Sequence, residues 1–141
     1  MNVIREQKNL DGKIVLLRLD LNVPLINGKI TDETRINKIL PILKYLIEKN
    51  SKILVISHVG RPKGIKTDDL SIRPICQNLE KKLNKKIDFI TKNIFNLTKD
   101  QIFTSNNCEI AFLENIRFYV EEEKNDVSFS KHLASLGDLY V

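Results

Sequence analysis

The chain has 141 residues, of which 42% are hydrophobic and 29% charged, enough for one ordinary domain with a packed core and unlike a disordered or fibrous chain. No apolar run approaches the roughly 20 residues that cross a bilayer, and the charged start, residues 1–13, is no secretory leader. The formal net charge of +5 invites a nucleic-acid partner, but the lysines are dispersed. The densest group, Lys81, Lys82, Lys85 and Lys86, shares its helix with Glu80 and reads as a solvated face.

Residues 14–23 read as the first strand. Period two puts Arg18, Asp20 and Asn22 on one side and Leu17, Leu19, Leu21 and Val23 on the other. Pro24 has no amide hydrogen and ends the ladder. A bland alternative pairs Arg18 with Asp20 on a solvent-facing strand. Asn27-Gly28 signals a tight turn. Thr31-Asp32 offers an N-cap for a helix running to about Lys49, with Ile36, Ile39, Leu40, Leu43, Leu46 and Ile47 at helical spacing. Pro41 inside it should kink it or weaken one turn.

Residues 52–57 (KILVIS) form a nearly continuous apolar run, the pattern of a strand buried in a parallel sheet. A long loop follows, from His58 to about Ser71. Residues 72–85 read as a second amphipathic helix with Pro74 in its first turn. Residues 87–90 and 109–113 are short strands, and 91–107 carry no clear pattern. Residues 128–136 read as a helix, and 138–141 as the start of another strand. Leu139-Tyr140-Val141 looks like a buried strand cut while still in use, so the chain is expected to be part of a longer one.

Alternating strands and helices predict an α/β fold: a doubly wound, Rossmann-like parallel sheet in three αβα layers, incomplete at the carboxyl end. Such sheets bind ligands at the carboxyl ends of their strands. Those ends carry Asp20 and Asn22; then Ser57-His58-Val59-Gly60-Arg61-Pro62; then Glu114-Asn115-Ile116-Arg117. Arg35 stands at the start of the first helix. Arg35, His58, Arg61 and Arg117 thus converge on one edge. Arginine's planar fork suits carboxylate and phosphate oxygens, which points to a small anionic ligand. Each also has a plainer reading: surface ion pairs for Arg35 and Arg117, a backbone-bonded loop histidine for His58.

Other chemistries are absent from the sequence. The segment from Gly60 to Thr67 has the wrong glycine spacing for a phosphate-binding loop. Cys76 and Cys108 are far apart and read as reduced thiols in a cytosolic setting. With only two histidines, no zinc spacing appears, and Glu121-Glu122-Glu123 reads as a solvated charged turn.

The segments RLDLNVP (residues 18–24), DETRI (32–36), SHVGRP (57–62) and LENIRFYVEEE (113–123) occur in the order and spacing of phosphoglycerate kinase. The chain resembles that family from Val3 to Val141, with Val59 where leucine is usual. The resemblance implies phosphoryl transfer between 1,3-bisphosphoglycerate and ADP, giving 3-phosphoglycerate and ATP, with Mg2+ on the nucleotide. It implies that residues 1–141 are most of an amino-terminal glycerate-binding domain, and that a carboxyl-terminal nucleotide-binding domain is not in this chain. Carried over by motif, Asp20 and Asn22 would fix the substrate's hydroxyl and neighbouring oxygens. His58, Arg61 and Arg117 would hold its non-transferred phosphate. Leu21, Val59 and Gly60 belong to the same binding segments, and Arg35 would reach the carboxyl end and the migrating phosphoryl group. The family implies a cytoplasmic monomer without nucleic-acid or membrane partners, and no turnover by these 141 residues alone.

Overall fold

The computed structural model describes residues 10–103 and 109–141; Cys108 and part of the unpatterned segment lie outside them. Five strands form one parallel sheet: β1 (Ile14–Arg18), β4 (Lys52–Ile56), β5 (Ile87–Ile90), β6 (Ile110–Leu113) and β7 (Leu139–Tyr140), in the order β5-β6-β4-β1-β7. A two-stranded antiparallel ribbon, β2 (Leu25–Ile26) and β3 (Lys29–Ile30), leaves the sheet after β1. Its turn is Asn27-Gly28 at φ +53° and +74°. Both angles lie in the left-handed region that a two-residue hairpin of this twist requires and that asparagine and glycine tolerate best.

Three helices carry the connections: α1 (Thr34–Glu48), α2 (Arg73–Leu83) and, after a single turn of helix α3 (Lys99–Ile102) and another, α4 (Val120–Glu123), the helix α5 (Val127–Ala134). The central strands are buried on both faces, hence their unbroken apolar runs. Val15, Leu17, Ile53, Val55 and Phe112 pack on one side against Ile36, Leu43 and Leu46 of α1 and Ile75 and Leu79 of α2. Leu16, Leu54, Ile56 and Ala111 pack on the other against Ile94, Leu97, Ile102, Phe129 and Leu133. The chain winds outward from β1 to β5 with helices on the first side and returns to β7 with helices on the second. This is the expected three-layer, doubly wound arrangement, and the carboxyl ends of β1, β4 and β6 meet at one edge.

Several local expectations change. The first strand stops at Arg18, not Val23. Its neighbours run out: the Leu19 amide still reaches Ile56 O, but the next inward amide, Leu21, finds the Ser57 hydroxyl instead. The alternation survives the loss of the ladder, with Leu21 and Val23 buried and Asp20 exposed. The first helix begins at Thr34, and Asp32 is not its N-cap by backbone geometry. Asp32 Oδ1 nonetheless accepts from the Thr34 amide at 2.9 Å and its hydroxyl at 2.6 Å, so an acidic side chain still satisfies a free helix-end donor. Pro41 lies within α1 without ending it. In the unpatterned segment, Thr98 and Gln101 form a reciprocal capping box on α3.

Candidate anion-binding site

The site is built on strand ends that have lost their backbone partners. Ser57, just past β4, donates its hydroxyl to Leu19 O at 2.7 Å and accepts the Leu21 amide at 3.0 Å. That one buried hydroxyl replaces a rung of the ladder and holds the segment carrying Asp20 and Asn22. The Ser57 carbonyl accepts the Ile116 amide, which ties in the turn that bears Arg117. The carboxyl ends of three strands are thereby joined through one residue.

On the α1 side, Arg35 Nη1 donates to Asp20 Oδ1 at 3.1 Å and to the Asn22 carbonyl at 2.8 Å. Both charged side chains remain open, Arg35 at 50% and Asp20 at 71% exposure. Asn22 Oδ1 accepts the Gly60 amide at 3.0 Å. Gly60 sits at φ +61°, where a side chain is strained, and a Cβ there would come 2.6 Å from Leu70 Cδ2. A groove of about 440 Å³ runs along this side, lined by Asn22, Arg35, Val59 and Gly60 together with Asp32 and Leu70.

His58, Arg61 and Arg117 do not line that groove. The half-buried His58 ring lies close enough to the Arg117 and Arg18 guanidiniums to feel their charge. Burial first, and then those two cations, push its pKa below the ordinary histidine value; Asp20 and Glu122 oppose the shift more weakly. Arg117 Nε is buried and has no hydrogen-bond partner among the described residues. Arg61 is exposed and makes no hydrogen bond or ion pair among them. The edge therefore has two parts: an open groove with an exchangeable ion pair, and a cationic corner that disfavours one more positive charge.

Leu21 and Val59 are core residues, at 0% and 1% exposure. Their backbone is used internally, the Leu21 amide by Ser57 and the Val59 carbonyl by Asn115. The pairing of Arg18 with Asp20 does not form. Arg18 instead pairs with Glu122, whose side chain is only 12% exposed. Within the run expected to be a solvated charged turn, Glu122 is therefore covered. It lies in α4 and reaches back to the Arg18 guanidinium at the end of β1. Ser57, Asn115 and Glu122 escaped the sequence reading as parts of the site. Ser57 and Asn115 stand inside the quoted motifs, and only their burial, at 2% and 0% exposure, marks them. Among the described residues, no three His, Cys, Asp or Glu side chains gather to hold a metal ion, and no helix is long and apolar enough to cross a membrane.

The comparisons with known proteins bear on the family and the fold. The family model for phosphoglycerate kinase matches residues 5–141. The phosphoglycerate kinase of Dictyoglomus turgidum is 47% identical over 134 residues, 95% of this chain and 34% of that protein. That of Orientia tsutsugamushi is 47% identical over 129 residues, 92% of this chain and 32% of that protein. Among solved structures, phosphoglycerate kinase from Coxiella burnetii superposes with a TM-score of 0.81 at 35% identity, covering 94% of this chain and 32% of that one. The enzyme from Pyrococcus horikoshii gives 0.79 at 29% identity, over 94% and 34%. The chain thus spans about a third of the length of the relatives it matches, and it belongs to the phosphoglycerate kinase family.

Proposed function

We propose that this chain is the glycerate-binding, amino-terminal part of a phosphoglycerate kinase. In that protein 1,3-bisphosphoglycerate passes its acyl phosphoryl group to ADP, giving 3-phosphoglycerate and ATP. The observation that carries the reading is the cationic corner. Arg117 keeps a buried Nε–H without an acceptor, beside a histidine whose protonation two guanidiniums oppose. A buried donor that lacks a partner is costly, and an anionic oxygen relieves both that cost and the like-charge repulsion. In this reading His58, Arg61 and Arg117 hold the phosphate that is not transferred. Asp20 and Asn22 orient the glycerate hydroxyl and neighbouring oxygens, and Arg35 faces the carboxyl end. Leu21, Val59 and Gly60 belong to the same binding segments, which Ser57, Asn115 and Asn22 hold in place.

The chemistry asks little else of these residues. The attacking oxygen is a nucleotide phosphate in one direction and a carboxylate in the other, and both are ionised at neutral pH. No general base is needed, so Asp20 positions substrate and takes no proton. Phosphoryl transfer needs alignment and positive charge on the migrating oxygens, which Arg35 supplies. Magnesium would arrive with ADP or ATP on a second domain, and no step here runs through it. The reading carries with it a cytoplasmic monomer that binds neither nucleic acid nor membrane.

Calorimetric titration of the 141-residue chain tests the reading. It should bind 3-phosphoglycerate weakly, at least about ten-fold better than glycerate, because the phosphate makes charge-assisted hydrogen bonds. Arg117→Ala should erase that preference. Equal binding of both ligands, or a preference indifferent to Arg117, overturns the proposal.

A further inference from the structure

Among the described residues only Ser51, Ser57 and Asn115 are fully buried and polar. Ser51 has a local task at the far end of β4, donating to Leu46 O near the end of α1. Asn115 spans much more. Its Nδ2 donates to Val59 O at 2.8 Å and to Leu70 O at 2.9 Å, and its Oδ1 accepts the Arg117 amide at 3.1 Å. Two carbonyls on one side and an N–H on the other fix which way the amide points. Both its donors and one acceptor position are used, and its exposure is 0%.

The three partners lie on three segments, and each bears part of the edge. Val59 lies between His58 and Gly60. Leu70 packs against Gly60 and lines the groove. Arg117 carries the guanidinium with the orphaned Nε. Glu114 reinforces the same junction, its carboxylate accepting the Ser71 hydroxyl and the amides of Ile72 and Asn115 at 2.7 to 2.9 Å. We propose that Asn115 is a positioning residue: its buried amide fixes the Val59 and Leu70 segments against the Arg117 turn and so sets where Arg117 stands relative to His58 and Gly60. Asn115 reaches no ligand itself. Removing the amide frees the buried Val59 carbonyl and the part-buried Leu70 carbonyl and Arg117 N–H at once, so the three segments separate toward water rather than leave those groups unsatisfied. That this edge takes a phosphate rests on the function proposed above; the internal arrangement does not.

The test uses the 141-residue chain in two independent readouts. The first is the His58 imidazole signal in NMR across pH without ligand. His58 faces Arg117, Arg18, Asp20 and Glu122. In Asn115→Ser, Arg117 should drift from the ring and the His58 titration should move upward. The second is calorimetric affinity for 3-phosphoglycerate, expected to fall by about ten-fold or more, as for a lost buried hydrogen-bond set. Ser51→Ala removes a buried hydrogen bond remote from the edge. It should lower stability but leave the His58 titration and the affinity alone, which separates positioning from general destabilisation. Asn115→Gln adds no charge but displaces the amide by one methylene, and it replaces Asn115→Ser if the latter does not fold. A folded Asn115 variant with an unaltered His58 titration overturns the inference. A shifted His58 in a chain whose wild type shows no preference for 3-phosphoglycerate over glycerate upholds the inference and sinks the function.

Discussion

Two ion pairs stand at the same sheet edge and are built to opposite purposes. Arg35 and Asp20 meet in the open, at 50% and 71% exposure, and Arg35 also leans on the Asn22 carbonyl. Arg18 and Glu122 meet partly under cover, at 38% and 12% exposure, and join the end of β1 to α4. Water competes for the first pair, so exchanging Asp20 for another anion costs little. The second pair is partly desolvated, and losing one member strands the other charge. The chain has left one arginine available and tied the other down at the same edge. The same residue type is left exchangeable or tied into the fold according to how much water its partner keeps.

The largest effect should separate those roles outright. In a chain completed with its nucleotide half, Arg35→Ala should lower kcat by about 10²–10³ with a smaller change in KM, as loss of charge on the migrating oxygens requires. Steady-state kinetics decide it. A raised KM at unchanged kcat would make Arg35 a binding group only, and the availability of its ion pair would then have no catalytic meaning.

The contrast between the two arginines could not be read from the sequence, although most of its setting could. The five sheet strands, the Asn27-Gly28 turn and the helices of residues 34–48 and 73–83 all follow from local patterns: period two, left-handed turn residues, helical spacing. The expectation that Arg35, His58, Arg61 and Arg117 share one edge follows from a general property of parallel sheets. Partner choice does not. Arg18 and Asp20 sit two residues apart, and local reasoning pairs them. The pairing fails because α4 brings Glu122 to Arg18 from 104 residues away. Burial of Ser57 and Asn115 is likewise a product of three strand ends meeting. Their residue types alone read as turn and cap formers.

A stability measurement sharpens the comparison next. Glu122→Gln keeps the shape and removes the charge, leaving Arg18 half-covered and without its counter-charge. Urea denaturation should show a loss of about 1–2 kcal/mol, below the range for fully buried pairs because Arg18 keeps partial access to water. Asp20→Asn, the matching change in the open pair, should stay within about 0.5 kcal/mol of wild type. Equal losses for the two variants would show that cover does not distinguish these pairs.

The smallest effect is a proton. The folded chain holds His58 below its ordinary pKa, through burial and then the Arg117 and Arg18 charges. The unfolded chain therefore binds the proton more readily, and the folded state loses stability as pH falls through about 6.5 and below, while His58 costs nothing above that range. An anion seated on Arg117 reverses the balance. It screens the guanidinium and offers the imidazolium a counter-charge, so 3-phosphoglycerate should raise the His58 pKa and its binding should draw a proton onto the ring. The ligand's own phosphate titrates in the same window with the opposite effect on affinity, so binding curves alone mix the two. The imidazole signal in NMR does not mix them, since it reports His58 by itself. An upward shift on adding 3-phosphoglycerate, and none on adding glycerate, places the phosphate in the cationic corner rather than in the groove beside Arg35. If the shift is absent while 3-phosphoglycerate still binds, the phosphate lies on the exposed pair, and the division of labour between the two arginines has to be redrawn.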